Sequence, residues 1–110
     1  MSLSTHILDT MHGMPAAGVA VTLRQGDAVL FEGRTDADGR CPDIRALTLA
    51  AGSYRLAFAV AEYFRGRGVA LPDPPFLDVV VIDFGIADAA AHYHVPLLVS
   101  PYAYSTYRGS

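Results

Sequence analysis

The chain is 110 residues long, 52% hydrophobic and 17% charged, with a formal net charge of −3. That length fits a single domain spanning 1–110, and the acidic balance leaves no basic footprint for nucleic acid. No segment approaches the roughly 20 consecutive apolar residues of a membrane span, so a membrane is not an expected partner either.

Short segments separated by turn residues predict strands. Leu3 to Leu8 is the first, with His6 on the same face as Ser4 and Leu8. Met11-His12-Gly13-Met14-Pro15 makes a turn. Val19, Val21 and Leu23 then alternate with Ala20, Thr22 and Arg24, the period of a half-buried strand. Gln25-Gly26-Asp27 joins that strand to residues 28–33 as a hairpin. Thr35-Asp36-Ala37-Asp38-Gly39 is a polar turn that delivers Arg40, and the mixed periodicity of Cys41 to Ala51 reads as an edge strand. After Gly52, the residues Tyr54, Leu56, Phe58 and Val60 fall on one strand face. Ala61 to Arg65 is the one helical stretch, closed by Gly66 and Gly68.

Pro72, Pro74 and Pro75 force an extended connection. Residues 76–84, with Val79, Val80, Val81 and Ile82, form the most strand-like run. Two closing strands, His92 to Ser100 and Tyr102 to Arg108, meet at Pro101. Seven or eight short strands with one short helix predict an all-β, antiparallel β-sandwich without internal repeats.

Candidate chemistry concentrates near the C-terminal end of the sequence. His92 and His94, two apart on a strand, project to one face, and histidine exchanges protons near neutrality because its ordinary pKa is about 6.5. With His6 they also permit a three-histidine metal reading, but the acids that would complete it, Asp9 and Asp88, fall in turns. Asp78 and Asp83 lie on opposite faces of their strand and do not form a carboxylate pair. All eight basic residues are arginine, so every cation is permanently charged and no lysine is present to form a Schiff base. Ser110 has no Gly-x-Ser-x-Gly elbow before it, which argues against a standard serine hydrolase. The tail Tyr107-Arg108-Gly109-Ser110 is dense in hydrogen-bonding groups and is expected to be held in place rather than loose. The single cysteine, Cys41, suits a reducing compartment, and the first residues lack a secretory leader, so a cytoplasmic location is expected. The high apolar share is expected to be buried in part against other subunits.

Four motifs occur in a recognisable order: Ser4-Thr5-His6-Ile7-Leu8-Asp9, Thr35-Asp36-Ala37-Asp38-Gly39-Arg40, His92-Tyr93-His94-Val95-Pro96-Leu97-Leu98, and Tyr107-Arg108-Gly109-Ser110. Together they resemble the 5-hydroxyisourate hydrolases, the transthyretin-related enzymes of urate breakdown. The resemblance covers essentially the whole chain. It implies a transthyretin-like fold and hydrolysis of 5-hydroxyisourate to 2-oxo-4-hydroxy-4-carboxy-5-ureidoimidazoline, with no metal and no organic cofactor. It implies His6, Arg40, His94 and Ser110 as catalytic residues. His6, Arg40, Tyr107, Arg108 and Gly109 are implied to bind the substrate. It implies a homotetramer, a dimer of dimers, with sites in the channel between dimers. Either His6 or His94 can serve as the base. The alternative is a transthyretin-like carrier of small aromatic ligands, against which the terminal tetrapeptide argues.

Overall fold

The computed structural model describes residues 2–109. Eight strands build two four-stranded sheets that pack face to face. One sheet runs β2 (Met14–Pro15), β1 (Leu3–Asp9), β7 (Tyr93–Val99), β8 (Tyr104–Thr106). The other runs β4 (Ala28–Arg34), β3 (Ala20–Gln25), β5 (Gly52–Ala59), β6 (Val79–Ile86). The pairings are antiparallel except one: β1 and β7 run parallel, in register from Leu3 opposite Tyr93 to Asp9 opposite Val99. The architecture is therefore the expected all-β sandwich, with one parallel seam through its first sheet.

Alternation along each strand sorts the residues. Leu3, Ile7, Leu97 and Val99 of the first sheet meet Val21, Leu23, Leu56, Phe58 and Val80 of the second, and all are buried. The edge strand β8 is exposed at every position, so main-chain bonds to β7 rather than side-chain burial hold it in the sheet.

Several segments differ from their predicted form: Met14–Pro15 pairs as β2 instead of closing a turn, residues 76–78 lie outside β6, and the last strand covers only Tyr104–Thr106 of the predicted Tyr102 to Arg108. Cys41 to Ala51 is not an edge strand. Pro42–Ala46 instead forms a 3-10 helix against β1, with a proline at its start and Ile44 fully buried. A proline with no N–H to donate suits a helix start, and a three-residue turn gives neither of the two familiar apolar periods. Val60 belongs to the helix rather than to the strand before it. Helix α1 (Val60–Gly66) follows β5 without a break, and the Val60 and Ala61 N–H groups donate to the Asp78 carbonyl at 3.1 Å. Val60, Ala61, Tyr63 and Phe64 face the core, and Glu62 and Arg65 face outward.

Asp9, expected in a turn, is the last residue of β1, and its side chain is fully buried. Such a carboxylate needs donors. The Tyr63 hydroxyl donates to it at 2.7 Å, the His12 N–H donates at 2.9 Å, and His12 Nδ1 lies 2.6 Å away. Burial pushes its pKa up, but the bonds from Tyr63 and His12 outweigh burial and hold it below 3.8. Burial and the bond to Asp9 in turn push the Tyr63 hydroxyl up to about 12. Thus α1 is tied to the end of β1 by a charge-assisted hydrogen bond.

A depressed carboxyl stabilises the fold above pH 3.8, and the contribution is lost as pH falls through the lower folded value. Tyr63→Phe should therefore cost about 1–3 kcal/mol at neutral pH and shift acid unfolding to higher pH. Urea titrations at several pH values measure both effects, and unchanged midpoints would refute the coupling.

Candidate active site

In a parallel ladder, paired residues share a face. The pairs Ser4 with His94 and His6 with Pro96 therefore set Ser4, His6, His92 and His94 on the outer face of the first sheet, opposite the core. Two isolated bridges extend this row sideways. Arg40 pairs with His6 across the open side of β1, and Gly109 pairs with His94 beyond β7. Four segments far apart in sequence thus deliver Arg40, His6, His94 and Gly109 to one surface.

The loop before Arg40 is built around Asp36. Its carboxylate accepts the N–H groups of Asp38 at 2.9 Å and Arg40 at 3.0 Å, and its own N–H donates to the Arg40 carbonyl at 2.8 Å. Thr35 anchors the loop from below, donating to the Ala16 carbonyl at 2.7 Å and accepting from the Val19 N–H at 2.9 Å. Gly39 makes the approach to β1 possible. Its φ is +75°, its carbonyl accepts the Ile7 N–H at 2.8 Å, and a Cβ there would lie 2.5 Å from the Ile7 carbonyl oxygen. The Arg40 side chain is exposed and meets no carboxylate among the described residues. It is a permanent cation held ready on an open face.

The tail is fixed by its main chain. The Gly109 N–H donates to the His94 carbonyl at 2.7 Å, and a Cβ on Gly109 would come within 2.5 Å of His94 Cδ2. Only a glycine lets the backbone lie flat against that imidazole.

His94 is half-buried, and its Nδ1 lies 2.7 Å from the Ser4 hydroxyl. Burial, then the Arg40 guanidinium and the His6 and His92 rings, lower its pKa below 6.5; a bond to the Ser4 main chain opposes them. Its imidazole is therefore mostly neutral at pH 7. His6 is half-buried on the same face and makes no side-chain hydrogen bond among the described residues.

The remaining sequence candidates are placed differently. Arg108 stacks over the Tyr93 ring, 4.1 Å from its centroid. Together with Tyr107 it lines a cavity of about 240 Å³ against Ile82 and Phe84, away from the histidines. Ser110 lies outside the described residues. Cys41 is buried, and burial with Asp36 and Asp43 nearby pushes its thiol up to about 11, so it is protonated and a poor nucleophile. Among the described residues, no three His, Cys, Asp or Glu side chains converge as metal ligands. Sequence reading passed over Ser4. Its alternation with His6 was visible, but its contact with His94 follows from the pairing of β1 with β7.

Comparison with known proteins places residues 3–109 in a match to the HIUase/Transthyretin family. A 5-hydroxyisourate hydrolase of Caulobacter vibrioides is 55% identical over 112 residues, covering 98% of this chain and 97% of that protein. The structure of the Klebsiella pneumoniae 5-hydroxyisourate hydrolase superposes with a TM-score of 0.86 at 38% identity, covering 99% of this chain and 93% of that one. An (S)-allantoin synthase superposes with a TM-score of 0.91 at 39% identity. The match covers 99% of this chain but only 43% of the synthase chain.

Gly109→Ala should lift the tail or turn the His94 ring, since the added Cβ would lie 2.5 Å from His94 Cδ2. The imidazole carbon and proton shifts of His94 report this directly, and a spectrum identical to the parent's would refute the close packing.

Proposed function

This chain belongs to the HIUase/Transthyretin family, and we propose that it is a 5-hydroxyisourate hydrolase that opens the six-membered ring of its substrate by water addition. The observation that carries the reading is the convergence of His6, Arg40, His94 and Gly109 on one sheet face through two single-residue bridges.

Ring opening needs three things at once: a base for the attacking water, a counter-charge for the oxygen that becomes anionic, and a proton for the departing nitrogen. His94 suits the first role, being neutral at pH 7 with Nδ1 already bonded and Nε2 left for the substrate side. The water oxygen bonds to the ring carbonyl carbon while its proton passes to Nε2. Arg40 offers planar donors to the oxyanion and has no competing carboxylate among the described residues. Collapse breaks the ring C–N bond, and the proton returns to the nitrogen from His94 or from His6. The product is 2-oxo-4-hydroxy-4-carboxy-5-ureidoimidazoline, an intermediate of urate degradation. Ser110 is assigned to the substrate or to the water, whereas Tyr107 lines the separate cavity against Ile82 and Phe84 and is given no contact with the reacting ring. These groups suffice without a metal or an organic cofactor.

The site face is open, and a planar substrate resting on it would be covered on one side only. A homotetramer, a dimer of dimers with facing sheets, would close the channel, and its second interface would have exposed apolar side chains such as Val79, Val81, Tyr102 and Tyr104 to draw on. We assign the protein to the cytoplasm on the strength of its lone, buried Cys41.

Freshly generated 5-hydroxyisourate should disappear faster with this protein present, and chelator should leave the rate unchanged. Loss of activity in chelator with recovery on adding zinc would overturn the cofactor-free reading. His6→Ala, His94→Ala and Arg40→Ala should each lower turnover by roughly 10²–10⁴-fold. His12→Ala should spare turnover, because His12 serves Asp9 on the far end of β1.

Because the folded pKa of His94 lies below 6.5, kcat/KM should stay flat through neutrality and fall only as pH drops below that value. A limb centred above 6.5 that His94→Ala leaves in place would show that another group is the base.

Removing Tyr107 to Ser110 should abolish hydrolysis and leave a folded, assembled protein, since β8 ends at Thr106. Circular dichroism and sizing report the fold, and full activity in such a tetramer would show that the tail only packs.

A further inference from the structure

The mechanism above uses two of the three histidines on the site face and leaves His92 without a role. The His92 ring is held between two hydroxyls: Ser2 Oγ lies 2.8 Å from its Nδ1, and Ser4 Oγ lies 2.9 Å from its Nε2. The same Ser4 oxygen lies 2.7 Å from His94 Nδ1. Ser2, His92, Ser4 and His94 therefore form an unbroken run of three hydrogen bonds. It ends on the His94 nitrogen that does not face substrate.

Proton counting restricts this chain. A hydroxyl carries one proton and so does a neutral imidazole, and each bond needs one proton. The Ser4 oxygen has two lone pairs, so it either accepts from both rings, which puts the His94 proton on Nδ1, or donates to one ring and accepts from the other, which leaves two directions. In one direction His94 Nδ1–H donates to Ser4, Ser4 donates to His92 Nε2, and His92 Nδ1–H donates to Ser2. Then His94 Nε2 is a bare lone pair. In the other direction Ser2 donates first, and His94 is left with its proton on Nε2.

The groups facing His94 decide between the two. Among the described residues they are Ser4 and His6 from β1, Arg40 from its loop, His92 from its own strand and the Gly109 main chain. None is a carboxylate, and the fixed charge among them is the Arg40 guanidinium. A cation on the open side favours a lone pair there over an N–H.

We propose that Ser4 and His92 are positioning residues that hold His94 in the tautomer with its proton on Nδ1 and its lone pair on Nε2. The tautomer follows from the hydrogen-bond chain. Its consequence for turnover rests on the hydrolase reading. Ser4 acts as the pivot: buried and small, it touches both imidazoles and passes the direction set at one to the other. His92 supplies the acceptor that draws the Ser4 proton away from His94. Without that acceptor the serine could turn, donate to Nδ1, and drive the His94 proton onto Nε2, where it would block the base.

The test uses the intact protein labelled with ¹⁵N, with long-range ¹H–¹⁵N spectra of the ring recorded above pH 7 and turnover measured on the same samples. Wild-type His94 should show the proton on Nδ1. Ser4→Ala should move it predominantly to Nε2 and lower kcat roughly 10- to 100-fold with KM changed by no more than about twofold, whereas Ser4→Thr keeps both near the parent. A wild-type proton on Nε2 overturns the proposal, as does a Ser4→Ala protein whose tautomer and kcat match the parent. Should Ser4→Ala fail to fold, His92→Phe carries the same two readouts with the same outcomes. If the wild type does not hydrolyse 5-hydroxyisourate, the hydrolase reading fails by itself, and the spectra still decide the tautomer.

Discussion

The parallel pairing of β1 with β7 is the constraint on which the rest of the molecule depends. Seven consecutive pairs, from Leu3 with Tyr93 to Asp9 with Val99, join segments about ninety residues apart. Parallel neighbours cannot be linked by a tight hairpin, so the whole second sheet, the 3-10 helix and α1 lie between them in the chain. A slip of one residue would turn Ile7 and Leu97 outward and His6 and His94 into the core. Burial of Leu3, Ile7, Val95 and Leu97 therefore sets the register, and the register sets the site.

Much of this was legible in the sequence because strand alternation is a local signal. The shared face of His92 and His94, the shared face of Ser4 and His6, and the polar turn ahead of Arg40 all follow from spacing alone. The 3-10 helix was not legible, since Ile44 is the sole fully buried residue of Pro42–Ala46 and one apolar position defines no period. Asp9 misled for a related reason. An aspartate next to Thr10 and Met11 reads as the start of a turn, and the donors that make its burial tolerable come from His12 and from Tyr63, fifty-four positions away. The Ser4 bridge between two histidines was invisible in the same way, because no sequence window contains both residue 4 and residue 92.

Electrostatics divide the molecule into two regions. At one end of β1, Asp9 is neutralised by neighbours and ties the helix down. At the middle of the same strand, His6 and Arg40 face outward without a carboxylate among the described residues. The arginines that do have acidic partners, Arg34 with Glu62 and Arg55 with Asp83, lie on the exposed surface of the second sheet or the helix, where such pairs add little stability. Among the described residues Arg40 has no such partner, and an unneutralised cation beside two imidazoles suits anionic chemistry better than it suits folding.

The alternation along β1 and β7 has an evolutionary consequence. Odd-numbered residues of these strands hold the sandwich together, and even-numbered residues such as Ser4, His6 and His94 face outward, where the proposed chemistry lies. Selection can rewrite one set while leaving the other untouched. Replacing the outward imidazoles and the arginine by apolar side chains would remove the proposed catalytic groups without opening the core. A family that joins hydrolases to transthyretins under one fold is the outcome such a scaffold invites.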